Sequence, residues 1–267
     1  MNLKKRLANI ANLFLNPMGV QILPYSRPGK EYTGSSIQSK VQRNPNYPIF
    51  RDSKWHYAFE LSDGTLTPTY VDSLQEWHEI RRQFIFSRID SVIGPLEGKS
   101  CLDIACNSGF WSIELAKRGA VVKAFDKSAS EINKARAITT HYGIKNISFC
   151  VSDLFSYEPR RSFDLILCFG LIYHLTDPLG ACKRIRSWST GVTVFDTSVS
   201  DLKGPVLEIG SQKKYTCCGE NEFAFVPTPN AFEAILAEAG FSTSKRFMNK
   251  AGAYSKNNIR GLWFTWP

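Results

Sequence analysis

The chain has 267 residues, 43% of them hydrophobic, and a formal charge of +9 at pH 7. This length and apolar content are enough to bury a large core, which argues against disorder throughout. The seven cysteines show no CxxC spacing and mostly lie in apolar stretches, which argues against a zinc site and indicates a reducing, cytoplasmic environment. The basic charge favours nucleic acid, anionic lipid or acidic substrates as partners without choosing between them.

Residues 1–50 are expected to form an N-terminal arm and a linker. Within residues 1–15, apolar side chains recur at helical spacing beside a basic cluster. This pattern predicts an amphipathic helix that either lies on an anionic membrane surface or packs against the body of the protein. Asn, Gln and Pro interrupt the uncharged stretch Leu7–Ser26, which argues against a signal peptide and a membrane span. Residues 27–50 are rich in turn formers and are expected to be a linker or surface loop.

Residues 51–73 are expected to form a short region of strand and turn. The segment Trp55–Asp72 alternates like two strands around a turn at Asp63-Gly64. Its aromatic residues Trp55, Tyr57 and Tyr70 either roof a binding pocket or pack against the helix that follows.

Residues 74–267 are expected to form the main domain. A first helix carries the apolar stripe Trp77, Ile80, Phe84, Ile89 and Ile93 and ends at Gly94-Pro95. Strands are then predicted at Ser100–Ile104, Ala120–Phe125, Ile147–Val151, Phe163–Phe169, Val192–Phe195, Phe241–Phe247 and Leu262–Trp266. Helices are predicted at Phe110–Lys117, after the capping box Ser128–Glu131, after Asp177 and after Thr228. This alternation predicts a mostly parallel α/β sheet with helices on both faces and with ligands beyond the carboxyl ends of its strands.

A turn of small residues joins the first of these strands to its helix, with the sequence Asp103-Ile-Ala105-Cys-Asn107-Ser-Gly109. Such a turn brings backbone amides and a helix N-terminus close to a ligand. A dinucleotide site would need the G-x-G-x-x-G pattern for its pyrophosphate, and the turn lacks it. S-adenosylmethionine has no phosphate and carries two cationic groups, which a carboxylate at Asp103 suits. An ordinary strand-to-helix turn is the alternative.

The next three strands also end in residues suited to a nucleoside cofactor or to proton transfer. Asp126 ends the second strand, where a carboxylate either accepts hydrogen bonds from two ribose hydroxyls or caps the helix. Asp153 follows the third strand. The fourth strand runs into Gly170 and then Tyr173-His174. With an ordinary pKa of about 6.5, the imidazole of His174 is either a catalytic base or a brace for the following turn.

Together these segments resemble the motifs of class I S-adenosylmethionine-dependent methyltransferases, and in particular the group that includes the tRNA wobble-uridine carboxymethyl transferases. The resemblance covers Trp55 to the C-terminus. Ala105 and Asn107 stand where two of the three glycines of the family motif would be. The resemblance implies a Rossmann-like fold with a seven-stranded, mostly parallel sheet, S-adenosyl-L-methionine as cofactor and no metal.

The resemblance also implies the roles of individual residues. Tyr173 and His174 would lie beside the transferred methyl group as the catalytic residues. The cofactor-binding residues that follow from the turn and the resemblance are Asp103, Ala105, Cys106, Asn107, Gly109, Phe110, Asp126, Lys127, Ser152, Asp153, Leu154, Phe169 and Gly170.

The region Ser198–Phe225 is expected to be an insertion that forms part of an acceptor pocket, a lid or a surface hairpin. It carries Glu208, Lys213, Lys214 and Tyr215.

Three functions are compatible with these features. The first is methyl transfer to an oxygen or nitrogen of a small molecule, such as a sugar, a lipid-linked intermediate or a natural product. The second is tRNA modification, in keeping with the basic charge. The third is a non-catalytic module that binds the cofactor or has lost it, because two glycines are missing. The expected location is the cytoplasm, with peripheral membrane contact if residues 1–15 lie on a bilayer.

Overall fold

The computed structural model describes residues 21–24, 49–50, 53–70, 74–211, 223–249 and 259–267. The predicted amphipathic helix of residues 1–15 and the residues Lys213, Lys214 and Tyr215 lie outside these ranges. The elements in chain order are β1 (Gln21–Pro24), α1 (Leu74–Ile93), β2 (Ser100–Ile104), α2 (Phe110–Lys117), β3 (Val121–Asp126), α3 (Ala129–His141), β4 (Ile147–Val151), β5 (Phe163–Phe169), α4 (Pro178–Trp188), β6 (Ser189–Val199), β7 (Val206–Ser211), β8 (Phe223–Pro227), α5 (Pro229–Glu238), β9 (Thr243–Asn249) and β10 (Ile259–Trp266).

Seven strands form one sheet in the order β4-β3-β2-β5-β6-β10-β9, and β1, β7 and β8 form a smaller sheet in the order β1-β7-β8. In the large sheet β10 is antiparallel to both of its neighbours, whereas β2, β3 and β4 pair in parallel, as do β5 and β6. The predicted seven-stranded, mostly parallel α/β fold is therefore confirmed. Within the described ranges, no helix has the length and apolar character needed to cross a membrane.

The chain divides into two compact units, one within Tyr32–Tyr157 and the other made of residues from Met1–Glu31 and Glu158–Pro267. These boundaries differ from the divisions predicted at residues 50 and 73, which stay a prediction. In the first unit, β2, β3 and β4 lie side by side and are connected by α2 and α3. The carboxyl ends of these three strands therefore lie at one edge of the unit.

Helix α1 buries Trp77 and Ile89 of the predicted stripe but not Ile80, which is 37% exposed. Four of its buried residues, Trp77, Arg81, Ile85 and Ile89, are spaced four apart and line one ridge of the helix. The predicted stripe did not include Arg81, because an apolar pattern does not register a buried arginine. In the structure the Arg81 guanidinium lies over the rings of Trp77 and Trp111.

Residues 53–70, called the strap below, form a turn but not the two predicted strands. The predicted turn at Asp63-Gly64 is confirmed, because the Asp63 carboxylate accepts hydrogen bonds from the Thr65 N–H at 3.1 Å and the Thr65 hydroxyl at 2.7 Å. Only two isolated bridges, Trp55 with Thr69 and Glu60 with Leu66, stand where strands were expected. The apolar side chains of the strap pack against neighbouring helices instead of forming part of a sheet.

Helix α3 starts with half of the predicted capping box. The Ser128 hydroxyl accepts from the Glu131 N–H at 3.3 Å. The reciprocal bond is absent among the described residues because the Ser128 N–H donates to Asp126 Oδ1 at 2.8 Å, and Glu131 pairs with Lys134. The carboxylate at the end of β3 therefore replaces Glu131 in the capping box.

The second unit carries the remaining strands. Helices α4 and α5 begin as predicted, with Asp177 and Thr228 as N-caps and a proline in the first turn. Strand β6 extends beyond the predicted Val192–Phe195 at both ends. The described residues of the predicted insertion contribute to a small sheet, because β7 pairs antiparallel with β8. Strand β1, which was expected to belong to the arm, adds in parallel to β7.

Candidate cofactor and acceptor sites

The turn between β2 and α2 has an unusual backbone. Among the described residues, Ala105 (φ 55°) and Asn107 (φ 51°) are the only non-glycine residues with positive φ, and Gly109 (φ 82°) follows them. A left-handed conformation costs an ordinary L-residue about 1–2 kcal/mol. These are the three positions that the family motif fills with glycine. The turn therefore keeps the backbone of a glycine-rich loop although two of the glycines are missing.

Local hydrogen bonds hold this backbone in place. The Asn107 side-chain oxygen accepts from the Ser108 N–H at 2.7 Å, and the Asn107 N–H donates to Asp126 Oδ2 at 2.9 Å. Asparagine tolerates the left-handed region because its side chain bonds nearby backbone in this way. At Gly109 a Cβ atom would lie 3.1 Å from both the Ala135 Cβ and the Phe149 ring. Glycine at this position is therefore favoured by conformation, and a Cβ atom would fit only if Ala135 or Phe149 shifted.

Two predicted ligand residues of this turn have side chains occupied within the protein. Cys106 is 1% exposed and packs with Ala124 and Ile132, its N–H donates to the Phe125 carbonyl at 3.0 Å, and its carbonyl accepts from the Gly109 N–H at 2.9 Å, so the residue shapes the turn from inside the protein. Asp103 is also 1% exposed and accepts a hydrogen bond from the Ser112 hydroxyl at 2.5 Å. Burial raises the pKa of Asp103 to about 7, against the opposing effect of the bond from Ser112.

Asp126 lies between the turn and the start of α3. Its two carboxylate oxygens accept from the Asn107 and Ser128 N–H groups. Burial raises the pKa of Asp126, while these backbone hydrogen bonds and the neighbouring Lys127 act in the opposite direction. Each carboxylate oxygen has two acceptor positions, so Asp126 can accept further hydrogen bonds from a ligand.

The end of β4 lies next to the end of β3. The Ser152 N–H donates to the Asp126 carbonyl at 3.0 Å, and Leu154 is buried. Asp153 is exposed, and its Oδ1 accepts from the Phe155 N–H at 2.8 Å. Every predicted cofactor residue from Asp103 to Leu154 thus lies at the carboxyl ends of three neighbouring strands.

The remaining predicted site residues end or follow β5 in the second unit, and the first of them, Phe169, is the buried last residue of the strand. Gly170 has φ 71°, and its N–H donates to the Asp196 carbonyl at 2.8 Å. Tyr173 and His174 form a short 3₁₀ turn with their ring centroids 4.1 Å apart. Tyr173 is 9% exposed and packs against β8, whereas His174 is half-buried.

A buried ion pair beside this turn was missed by the sequence analysis. The Arg260 guanidinium pairs with the Asp196 carboxylate and donates to the Ser198 hydroxyl at 3.2 Å. Burial alone would lower the pKa of Arg260, but its interactions with Asp196 and Tyr173 outweigh that effect and raise it. Asp196 had the same signal as Asp126, an acid at a strand end. Arg260 had none, because it lies 64 residues from its partner.

Glu208 is a second buried carboxylate in this unit, at 3% exposure. It lies opposite Val226 in the β7–β8 pair. Directly opposed residues of an antiparallel pair share one face, and Val226 packs with Tyr173 and Ala224 on that face. The small sheet therefore presents a carboxylate on the face that covers Tyr173.

Within the described part of the chain, no three His, Cys, Asp or Glu side chains are grouped so as to hold a metal ion. The residues at the carboxyl ends of β2, β3 and β4 form a first group, and those around Tyr173 form a second. Both groups can act on a ligand through hydrogen bonds and charge. The first group offers carboxylates, which suit hydroxyl and cationic groups, and backbone amides at a helix N-terminus, which suit an anionic group. The fold is that of a Rossmann-like domain of class I methyltransferase architecture, and this group lies where such a domain binds ligands.

Comparison with known proteins identifies the family. A family model described as a methyltransferase domain matches residues 96–240, more than half of the chain. The chain therefore belongs to the methyltransferase domain family, which confirms the resemblance found in the sequence.

Individual relatives differ in their named activities. A tRNA U34 carboxymethyltransferase from Campylobacter curvus is 31% identical over 152 residues, which cover 55% of this chain and 49% of that protein. A mitochondrial ubiquinone biosynthesis O-methyltransferase from Arabidopsis thaliana is 23% identical over 248 residues, covering 86% and 71%. The chain thus matches about half the length of the first of these relatives.

Solved structures show the same fold. The N-terminal domain of EvdMO1 with SAH bound has a TM-score of 0.62 at 16% identity, over 79% of this chain and 90% of that one. The magnesium protoporphyrin IX methyltransferase of Synechocystis PCC 6803 with bound SAM has a TM-score of 0.55 at 18% identity, over 72% and 81%.

Proposed function

We propose that this chain is an S-adenosylmethionine-dependent methyltransferase that binds its cofactor at the carboxyl ends of β2, β3 and β4. The observation that carries the proposal is the left-handed backbone at Ala105, Asn107 and Gly109. Strained residues persist where the surrounding structure enforces them, and they concentrate at ligand sites. Here the strain preserves the close approach of backbone that glycines give in the family motif, which argues against a module that has lost the cofactor.

The residues of this edge suit the parts of the cofactor. Asp126 has acceptor capacity for the two ribose hydroxyls, and Asp153 is an exposed acceptor for the adenine amino group. Helix α2 has Gly109 as its N-cap, so no capping side chain covers its first two amides, at Phe110 and Trp111, and these can bind the carboxylate of the methionine part. Asp103 acts on this end of the cofactor through Ser112 and the start of α2.

The bound cofactor supplies a methyl group on a cationic sulfur, and the protein aligns the acceptor with it. Alignment of the two reactants can account for most of the rate. His174 is half-buried beside Tyr173 and takes the proton that an oxygen or nitrogen acceptor loses. Tyr173 lies in the same turn as His174, and Arg260 on β10 stabilises Tyr173.

The acceptor that these residues favour is a small molecule. Tyr173 is nearly buried beneath β8, and Glu208 lies on the same covering face. A covered site with a few polar groups is typical of small-molecule pockets, whereas an RNA site is exposed and basic. A tRNA acceptor is the second candidate, and the similarity to a tRNA U34 carboxymethyltransferase favours it.

Calorimetry with SAM and with SAH tests the cofactor. We expect micromolar binding, about −8 kcal/mol, that Asp126→Ala abolishes. Asp90→Ala removes an equal charge from the exposed side of α1 and should leave binding unchanged. Absence of binding by folded wild-type protein would overturn the proposal.

Titration with bulk tRNA separates the two acceptor classes. If tRNA is the acceptor, we expect tight binding whose association constant falls about 10³-fold or more between 50 and 200 mM salt. A small-molecule enzyme should show weak binding at both salt concentrations.

A further inference from the structure

The strap contacts the first two residues of α2, Phe110 and Trp111, through the side chain of Tyr57. The Tyr57 ring stacks on Phe110 with centroids 4.7 Å apart and planes 7° apart. The Tyr57 hydroxyl accepts a hydrogen bond from Trp111 Nε1 at 3.0 Å. Tyr57 therefore holds the side chains of the first two residues of α2, while the Asp103 carboxylate accepts from the third, Ser112.

Tyr57 is itself fixed in place by the strap. It is 7% exposed, its ring lies 4.2 Å from that of His78 on α1, and its carbonyl accepts from the buried Thr67 hydroxyl at 3.4 Å. The same hydroxyl accepts from the Phe59 N–H at 3.0 Å. The strap can therefore transmit a fixed position to Phe110 rather than follow its movements.

The strap also contacts α3 and the residue that follows it. Lys134 Nζ donates to the Lys54 carbonyl at 2.8 Å, and the Tyr142 hydroxyl donates to the Glu60 carbonyl at 2.8 Å. Helix α3 begins just after Asp126. The strap thus joins the two helices whose N-termini flank the predicted cofactor site.

We infer that Tyr57 is a positioning residue that sets the affinity of the Ala105–Gly109 turn for the cofactor. Three of the five residues of this turn have left-handed φ, so the turn depends on its surroundings to keep its shape. Phe110 directly follows Gly109, and loss of its stacking partner frees the end of the turn. This inference rests on the proposed function for the identity of the ligand.

Calorimetry with SAH on the full chain tests the inference with three variants. Tyr57→Leu removes the stack and should raise Kd about tenfold or more, whereas Tyr57→Phe keeps the stack and should stay within about threefold of wild type. Phe86→Leu is the matched control, because Phe86 is a buried aromatic residue that packs against Trp111 and Arg118. It should lower the melting temperature about as much as Tyr57→Leu while leaving Kd unchanged.

A second measurement keeps the inference testable whatever the ligand. Amide hydrogen exchange should be faster at Ser108–Ser112 in Tyr57→Leu than in Phe86→Leu. Equal Kd values and equal exchange in these two variants would overturn the inference. If wild-type protein binds neither SAM nor SAH, the proposed function fails, and the exchange comparison alone decides whether Tyr57 holds the turn.

Discussion

The turn after β2 and the turn after β5 carry the candidate site residues and are held by different forces. Around Asn107, a carboxylate and backbone amides form the network, and the side chains are partly open to solvent. Around Tyr173, the Arg260–Asp196 ion pair is buried in the side-chain core. The first arrangement depends on backbone conformation and the second on paired charges.

This difference explains why the sequence reveals the hydrogen-bond network after β2 but not the ion pair beside the turn after β5. The network after β2 is built from residues close in sequence, so a motif can describe it. The ion pair joins two strands through residues 64 positions apart, so no local pattern shows it. The comparison also predicts that the two turns fail in different ways when they are mutated.

The largest expected effect is at the buried ion pair. Arg260→Met leaves the Asp196 carboxylate buried without its counter-charge, and should lower the free energy of unfolding by about 3–5 kcal/mol. Urea denaturation measures the loss. The double variant Arg260→Met with Asp196→Leu should recover much of it, because no unpaired charge remains. A double variant as unstable as the single one would show that the pair itself stabilises the fold.

Gly109→Ala should have the next largest effect, through backbone conformation. Left-handed strain and the contacts at 3.1 Å should together lower the free energy of unfolding by roughly 2–4 kcal/mol and abolish SAH binding. Gly143→Ala is the control, because Gly143 has φ 65° and nothing within 4 Å of the added Cβ. It should cost about 1–2 kcal/mol and leave binding intact. Equal losses in the free energy of unfolding in both variants would show that the close contacts of the added Cβ atom at residue 109 contribute nothing.

The smallest effect concerns the titration of Asp103. Its pKa rises from 3.8 in the unfolded chain to about 7 in the fold, so the folded state binds the proton more tightly. The stability from this group is complete below pH 3.8 and is lost as the pH rises to about 7. Unfolding in urea at pH 5 and pH 8 should show a decrease in the free energy of unfolding of roughly 2–3 kcal/mol that Asp103→Asn lacks. The same pH dependence in the variant would assign it to other groups.

The parallel strands and the helix starts were predictable because their signals are local. Strands β2, β4 and β5 match their predicted bounds, since each is a short apolar run between turn residues. The caps at Asp177 and Thr228 were recognised from a proline that follows a polar side chain. Long-range packing decided what the patterns missed, as at Arg81, whose guanidinium is buried between two tryptophan rings.

The sequence by itself determined the class of fold and the family, and it predicted the place of the cofactor site, because strand ends and turn residues are recognised from consecutive positions. Only the tertiary structure decided that Ala105 and Asn107 adopt the backbone of glycine, that Tyr57 supports the start of α2, and that Arg260 meets Asp196. Each of these depends on residues brought together by folding, where burial and the absence of competing water give a contact its energy.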